Sequence, residues 1–264
     1  MTTQPTYFIP HGGGPCFFMD DPRGAWTGME TFLRDLPKNL PERPKAIIVI
    51  SGHWETDGFA FTGAAAPGLI YDYYGFPKHT YELRYDVPGA PGLAARAAAL
   101  LTAQGIEARV DPARGLDHGV FVPFKVAFPD ADIPLIEMSV ERNFDPVLHM
   151  AAGRALAQLR NEGVLIVGSG MSFHNMRAYG DPRSTPGSEA FDAWLSDSMV
   201  LDGSKRAARL AHWAEAPAAR FAHPPAQEEH LLPLMVAAGA AEGPGERVYS
   251  GQVLATAISG FRFN

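Results

Sequence analysis

Short apolar runs rich in β-branched residues alternate along the chain with longer alanine-rich or amphipathic segments, the pattern of strands and helices stacked in layers. The runs predict strands at residues 7–10, 46–51, 59–62, 107–110, 133–139 and 164–168, with a closing strand between 254 and 263. Helical spacing predicts helices at 27–36, 92–104, 146–162 and 188–200, and a last one from near His230 to about Ala238. Proline is tolerated in a first turn, where its missing N–H has no intrahelical partner, so Pro233 puts His230 at or just before the start of that helix. The class is α/β: a central sheet, mostly parallel or mixed, flanked by helices. No internal repeat, low-complexity tract or composition shift divides the chain, and residues 1–264 read as a single domain.

Two proline- and glycine-rich stretches, 67–91 and 216–227, read as long loops. Loops of that length in a compact domain tend to be functional, which makes both candidate walls of a site.

Composition narrows the function. At 46% hydrophobic and 19% charged residues the chain can bury a sizeable core. A net charge of -7 without a basic cluster argues against nucleic-acid and anionic-membrane partners. Met1 to Thr6 has neither a basic segment nor an apolar core of a signal, and no apolar run approaches the ~20 residues that span a bilayer, so a cytoplasmic location is expected. The single cysteine, Cys16, rules out an intramolecular disulfide and reads as a packing residue beside Phe17 and Phe18.

The nine histidines carry the chemistry. His11 follows the apolar run 7–10, His53 follows 47–52, and His174 comes a short turn after 165–170. In open α/β sheets ligands bind beyond the carboxyl ends of strands, so residues just past several strands can converge. Glycines stand beside each: Gly12 to Gly14, Gly52, and Gly168 with Gly170. His118 and His230 lie in loop-like contexts, the latter after Glu228 and Glu229. Imidazole ligates iron and zinc and serves as an acid or base near neutral pH. His79, His149, His212 and His223 lack such surroundings, and His149 and His212, which lie in helix candidates, read as surface or core residues. Gly168-Ser169-Gly170 lacks the Lys-Ser/Thr of a phosphate-binding loop, and no G-x-S-x-G elbow supports a serine hydrolase.

Six segments, in order, match one family: Pro10-His11-Gly12-Gly13-Gly14-Pro15, Ile50-Ser51-Gly52-His53-Trp54-Glu55, Ile70-Tyr71-Asp72-Tyr73-Tyr74-Gly75-Phe76-Pro77, Leu116-Asp117-His118-Gly119-Val120, Gly168-Ser169-Gly170-Met171-Ser172-Phe173-His174-Asn175 and Glu229-His230-Leu231-Leu232-Pro233-Leu234. With these the chain resembles the extradiol ring-cleaving dioxygenases related to the catalytic subunit of protocatechuate 4,5-dioxygenase, and more narrowly the DOPA 4,5-dioxygenase branch.

The resemblance implies that His11, His53 and His230 bind the metal, that His174 is the acid/base, and that His118 positions substrate or oxygen. It implies Fe(II) as cofactor, with zinc able to occupy the site in purified protein, since three histidines are also a catalytic zinc set. Whether Glu228 or Glu229 joins the metal stays open. The implied reaction opens a catechol with O2 to a muconic semialdehyde. Trp54, Tyr71, Tyr73, Tyr74, Phe121 and Phe173 are candidates for an apolar slot around the ring. Two other functions fit the same residues: a zinc-dependent hydrolase, and a non-catalytic binding protein on the same fold. Neither the particular catechol nor the oligomeric state is legible.

Overall fold

The near-continuous apolar stretches are the strands of one sheet, buried on both faces as parallel strands require. The computed structural model describes residues 2–264. The strands are β1 (Thr6–Pro10), β2 (Ala46–Thr56), β3 (Phe59–Thr62), β4 (Ala108–Asp111), β5 (Leu135–Glu141), β6 (Val164–Gly170), β7 (Gly245–Val253) and β8 (Thr256–Phe263). They form a mixed eight-stranded sheet in the order β4-β3-β5-β2-β6-β1-β8-β7. At its centre β5, β2, β6 and β1 run parallel. β8 joins β1 antiparallel and β7 closes the edge as a hairpin partner.

The helices are α1 (Thr27–Asp35), α2 (Pro91–Thr102), α3 (His118–Ala127), α4 (Pro146–Leu156), α5 (Thr185–Met199), α6 (Gly203–Ala211), α7 (Ala219–Ala222) and α8 (Leu232–Gly239). Successive residues of β6 show how two layers cover the sheet, because neighbouring side chains on a strand point to opposite faces. A Cβ on Gly168 would lie 2.2 Å from the Pro233 carbonyl of α8, whereas the intervening Ser169 hydroxyl bonds the Gly119 carbonyl of α3. α8 and α3 therefore sandwich the central strands. Among the described residues no helix is long and apolar enough to cross a membrane.

Sequence and structure part in several places, among them α6 and the short α7, which the sequence expectation lacks and the latter of which lies in the expected loop at 216–227. The helix α3 is absent from the sequence expectation because Pro123 stands in its interior, and a mid-helix proline ordinarily breaks the pattern. β7 is also unexpected: its hairpin turns through Leu254 and Ala255, both at positive φ, where the usual Asn-Gly signal is missing. β2 continues to Thr56, past its expected end at residue 51.

Candidate functional site

Parallel register brings the histidines level. Pro10 of β1 pairs with Gly170 of β6, and Ser51 of β2 pairs with Ser169, so three adjacent strands end at one edge. His11 leaves β1 there, its N–H bonded to the Gly170 carbonyl at 3.2 Å. His53 lies inside β2 instead of just past it. Ladder pairing with β5 breaks between Ile50 and Glu55, and this bulge turns His53 towards the neighbouring strand ends. His230 arrives from the turn before α8, as Pro233 requires. That turn lies flush against the strands: a Cβ on Gly170 would come within 2.1 Å of the His230 carbonyl, and one on Gly52 within 2.8 Å of the Glu229 carbonyl. Only glycine allows such contact.

The three imidazoles meet through their Nε2 atoms, 3.2 Å apart for His11 and His53 and 3.1 Å for His53 and His230. Each Nδ1 turns away to its own partner. That of His11 is 3.1 Å from Ser169 Oγ, that of His230 is 2.8 Å from Glu229 Oε1, and that of His53 is 3.5 Å from Asp72 Oδ2. Metal-bound histidine characteristically anchors its other ring nitrogen in this way. Metal–nitrogen bonds of ~2.0–2.1 Å place neighbouring ligand nitrogens about 3 Å apart at right angles and about 3.4 Å apart in a tetrahedron. The observed separations fall within that span, so the donor set fits a metal ion.

Burial strengthens the fit. Desolvation, with the neighbouring imidazoles adding to it, pushes His11 and His230 well below the usual histidine range and His53 down to about 4. Neutral imidazoles with free lone pairs are what a cation needs.

His174 and His118 flank the trio. His174 stacks on His230 with ring centroids 3.5 Å apart, and its Nδ1 is 3.3 Å from the same Glu229 oxygen. His118 is the first residue of α3, not a loop residue, and lies 4.0 Å from the His53 ring. Its Nδ1 and backbone N–H both reach Asp72 Oδ1, at 2.8 and 2.9 Å. Burial alone would raise the Asp72 and Glu229 carboxyls, but hydrogen bonding from His118 and His174 respectively, with nearby charge, holds both below the usual range. Each carboxylate thus braces one histidine of the trio and one beside it.

Asp72 is one residue that sequence reasoning missed, although it stands in a quoted motif; nothing in its spacing shows that a residue so far along the chain meets both His53 and His118. Glu228 is engaged elsewhere, by Arg220. The other four histidines are structural or exposed. His149 is buried between the Glu141 N–H and the Asp145 carbonyl, His223 meets the Ser172 carbonyl, His79 meets the Phe18 carbonyl, and His212 pairs with Glu215 at the surface.

The five histidines open onto a cavity of about 720 Å3, within the range of small-molecule sites. Its aromatic walls are Trp26, Tyr73, Tyr74, Phe76 and Tyr179. Of the expected slot, only Tyr73 and Tyr74 contribute. Trp54 is buried against Arg114, Phe173 packs on Phe221, Phe121 lies in the core and the Tyr71 hydroxyl is tied to the Leu83 carbonyl. The loop at 67–91 is a wall; the stretch at 216–227 is not, since it folds in part into α7, whose Ala222 carbonyl accepts the His174 backbone N–H. Residues 19–23, 25 and 26 supply the opposite wall. Cys16 is buried beneath Gly12, its thiol pushed up to about 12 by desolvation, in keeping with a packing role.

A parallel sheet edge that gathers histidines around one point, under an aromatic-walled cavity, defines the class of α/β proteins able to hold a catalytic metal. The chain belongs to the family described as the catalytic LigB subunit of aromatic ring-opening dioxygenase, whose model matches residues 5–260. It is 42% identical to dioxygenase tasH of Hapsidospora irregularis over 261 residues, covering 91% of this chain and 79% of that protein. It is 39% identical to the 4,5-DOPA dioxygenase extradiol of Beta vulgaris, over 89% of this chain and 86% of the other. With that of Escherichia coli K12 the identity is 33%, over 92% and 87%. A crystal structure of an uncharacterized protein from Escherichia coli K12 superposes with a TM-score of 0.79 at 27% identity, covering 99% of this chain and all of that one. The chain is thus an oxygenase of dioxygenase type, acting on a small molecule with O2.

Proposed function

We propose that residues 1–264 form a single catalytic domain that cleaves a catechol-type ring with O2, extradiol to its hydroxyls, giving a muconic semialdehyde. Fe(II) is the proposed cofactor, held by His11, His53 and His230. The observation that carries this reading is the meeting of three Nε2 atoms whose Nδ1 partners all lie outward. A bound ferrous ion would supply the path by which electron density passes from an electron-rich catecholate to dioxygen.

The remaining work belongs to side chains. His174 takes a proton from a substrate hydroxyl and returns it as the ring opens, acting as general base and then general acid. Glu229 at its Nδ1 leaves Nε2 as the exchanging nitrogen. His118, with Nδ1–H given to Asp72, keeps an Nε2 lone pair to position a substrate hydroxyl. Tyr73 gives its hydroxyl to the Thr80 carbonyl and, with Trp26 and Phe76, contributes an apolar wall. Arg23 lines the cavity and pairs with no carboxylate among the described residues, although Asp20 and Asp21 share that wall. Its free guanidinium favours catechols bearing an acid group.

Anaerobic loading with Fe(II), followed by oxygen-electrode and absorbance assays on a catechol panel, tests this. A yellow product with matched oxygen uptake, lost in His11→Ala and His174→Ala, is expected. Confirmed iron binding without oxygen uptake on any catechol would overturn it in favour of a zinc hydrolase or a binding protein.

A further inference from the structure

Pro123 in the middle of α3 has a use. Proline has no N–H to bond the carbonyl four residues earlier, which here is that of Gly119. The Gly119 carbonyl instead accepts from Ser169 Oγ, on the adjoining face of β6. Ser169 is fully buried and its single hydroxyl proton is thereby committed. The same oxygen lies 3.1 Å from His11 Nδ1, so in that contact it can only accept. His11 must then carry its proton on Nδ1, which leaves the Nε2 lone pair facing His53.

We propose that Ser169 is a positioning residue that fixes the His11 tautomer for metal binding, and that Pro123 makes it so by leaving the Gly119 carbonyl for the Ser169 hydroxyl. The inference rests on the metal role proposed for His11. Ser169 touches neither substrate nor metal; it acts through one imidazole. Without the proline, the residue 123 N–H would compete for the Gly119 carbonyl and loosen its hold on the Ser169 hydroxyl, whose proton could then turn to His11 Nδ1 and leave the hydrogen on Nε2. The packing space is tight enough to hold the arrangement: a Cβ on the adjacent Gly119 would meet Ser51 Oγ at 2.8 Å and His53 Cδ2 at 3.0 Å.

Long-range nitrogen–proton correlation spectra of the metal-free protein above neutral pH read the tautomer directly. Chelator competition with Zn(II) and Fe(II) reads affinity without turnover. Wild type should show His11 protonated on Nδ1. Ser169→Ala should mix the tautomers and weaken both metals about 10–100-fold, the usual cost of losing such an outer partner. Pro123→Ala, which keeps every side chain of the site, should shift His11 towards Nε2–H and weaken binding in the same direction. Thermal melts monitored by circular dichroism identify any variant that fails to fold, and Pro123→Ala then carries the test. Wild-type tautomer and affinity within twofold in folded Ser169→Ala or Pro123→Ala would overturn the inference. Failure of wild type to cleave catechols despite normal iron binding would instead strike the proposed function and leave this one standing.

Discussion

Single side chains separate binding from chemistry. His11→Ala, His53→Ala and His230→Ala should each abolish tight binding of metal, because each removes a ligand from a set of three; metal analysis after dialysis reads this. His174→Ala should retain the metal and lose about 10²–10⁴ in kcat, the range for a missing acid/base. Asp72→Asn should fall between: its amide can still meet His118 but no longer imposes one tautomer, and kcat should drop about 10–100-fold with KM little changed. Arg23→Gln should raise KM only for acid-bearing catechols, by up to about fivefold, since an exposed ion pair contributes roughly 0.2–1 kcal/mol. His11, His53 and His174 were legible because each stands near glycines after an apolar run, and His118 and His230 because of their loop-like contexts. Asp72, the Ser169 hydroxyl and the Arg23 wall were not, since their partners are set by tertiary contacts that no local spacing encodes.

Elements hold these side chains through close backbone contacts. α4 and α8 touch at Gly153, where a Cβ would sit 2.1 Å from the Val236 carbonyl, and at Gly239, 2.3 Å from that of Met150. Gly153→Ala should therefore destabilise the protein by about 1–3 kcal/mol or more in urea titrations, through overpacking. It should also weaken metal binding, because displacing α8 displaces His230 before it. Gly92→Ala in α2 meets nothing within 4 Å and should stabilise by up to about 1 kcal/mol, giving the control. The central strands were legible because burial on both faces makes them uniformly apolar. α3 was hidden by Pro123, β7 by a hairpin of Leu254 and Ala255, and the far part of β2 by the bulge that carries His53. In α3 and β2 the local departure from pattern is what arranges the site.

The whole molecule buries five of its imidazoles in the neutral form. Burial depresses His11 and His230 strongly, His53 and His149 to about 4 and His223 to about 3. With folded values below the unfolded ~6.5, the unfolded chain binds more protons as pH falls, so the stability is complete above ~6.5 and is lost progressively towards 4 and below. Glu137 and Glu55 work in the opposite sense, burial raising both and, with Asp117 beside it, taking Glu137 well above the carboxylate range, but they are two carboxyls against five imidazoles. The unfolding free energy of metal-free protein, measured in urea between about pH 7.5 and about pH 4.5, should fall with pH; a flat profile would contradict the burial of these rings.

Much of the cavity's outer wall comes from residues 19–23, 25, 26, 73, 74 and 76, which belong to no strand, whereas His11 and His53 are rooted in the sheet and His230 in the turn pressed against it. Selection of substrate and chemistry are thus carried by separate parts: changes in the wall should retune which ring is admitted, while the groups at the strand ends stay in place. A library randomised only in those two segments would sample new substrates without spending its diversity on inactive proteins.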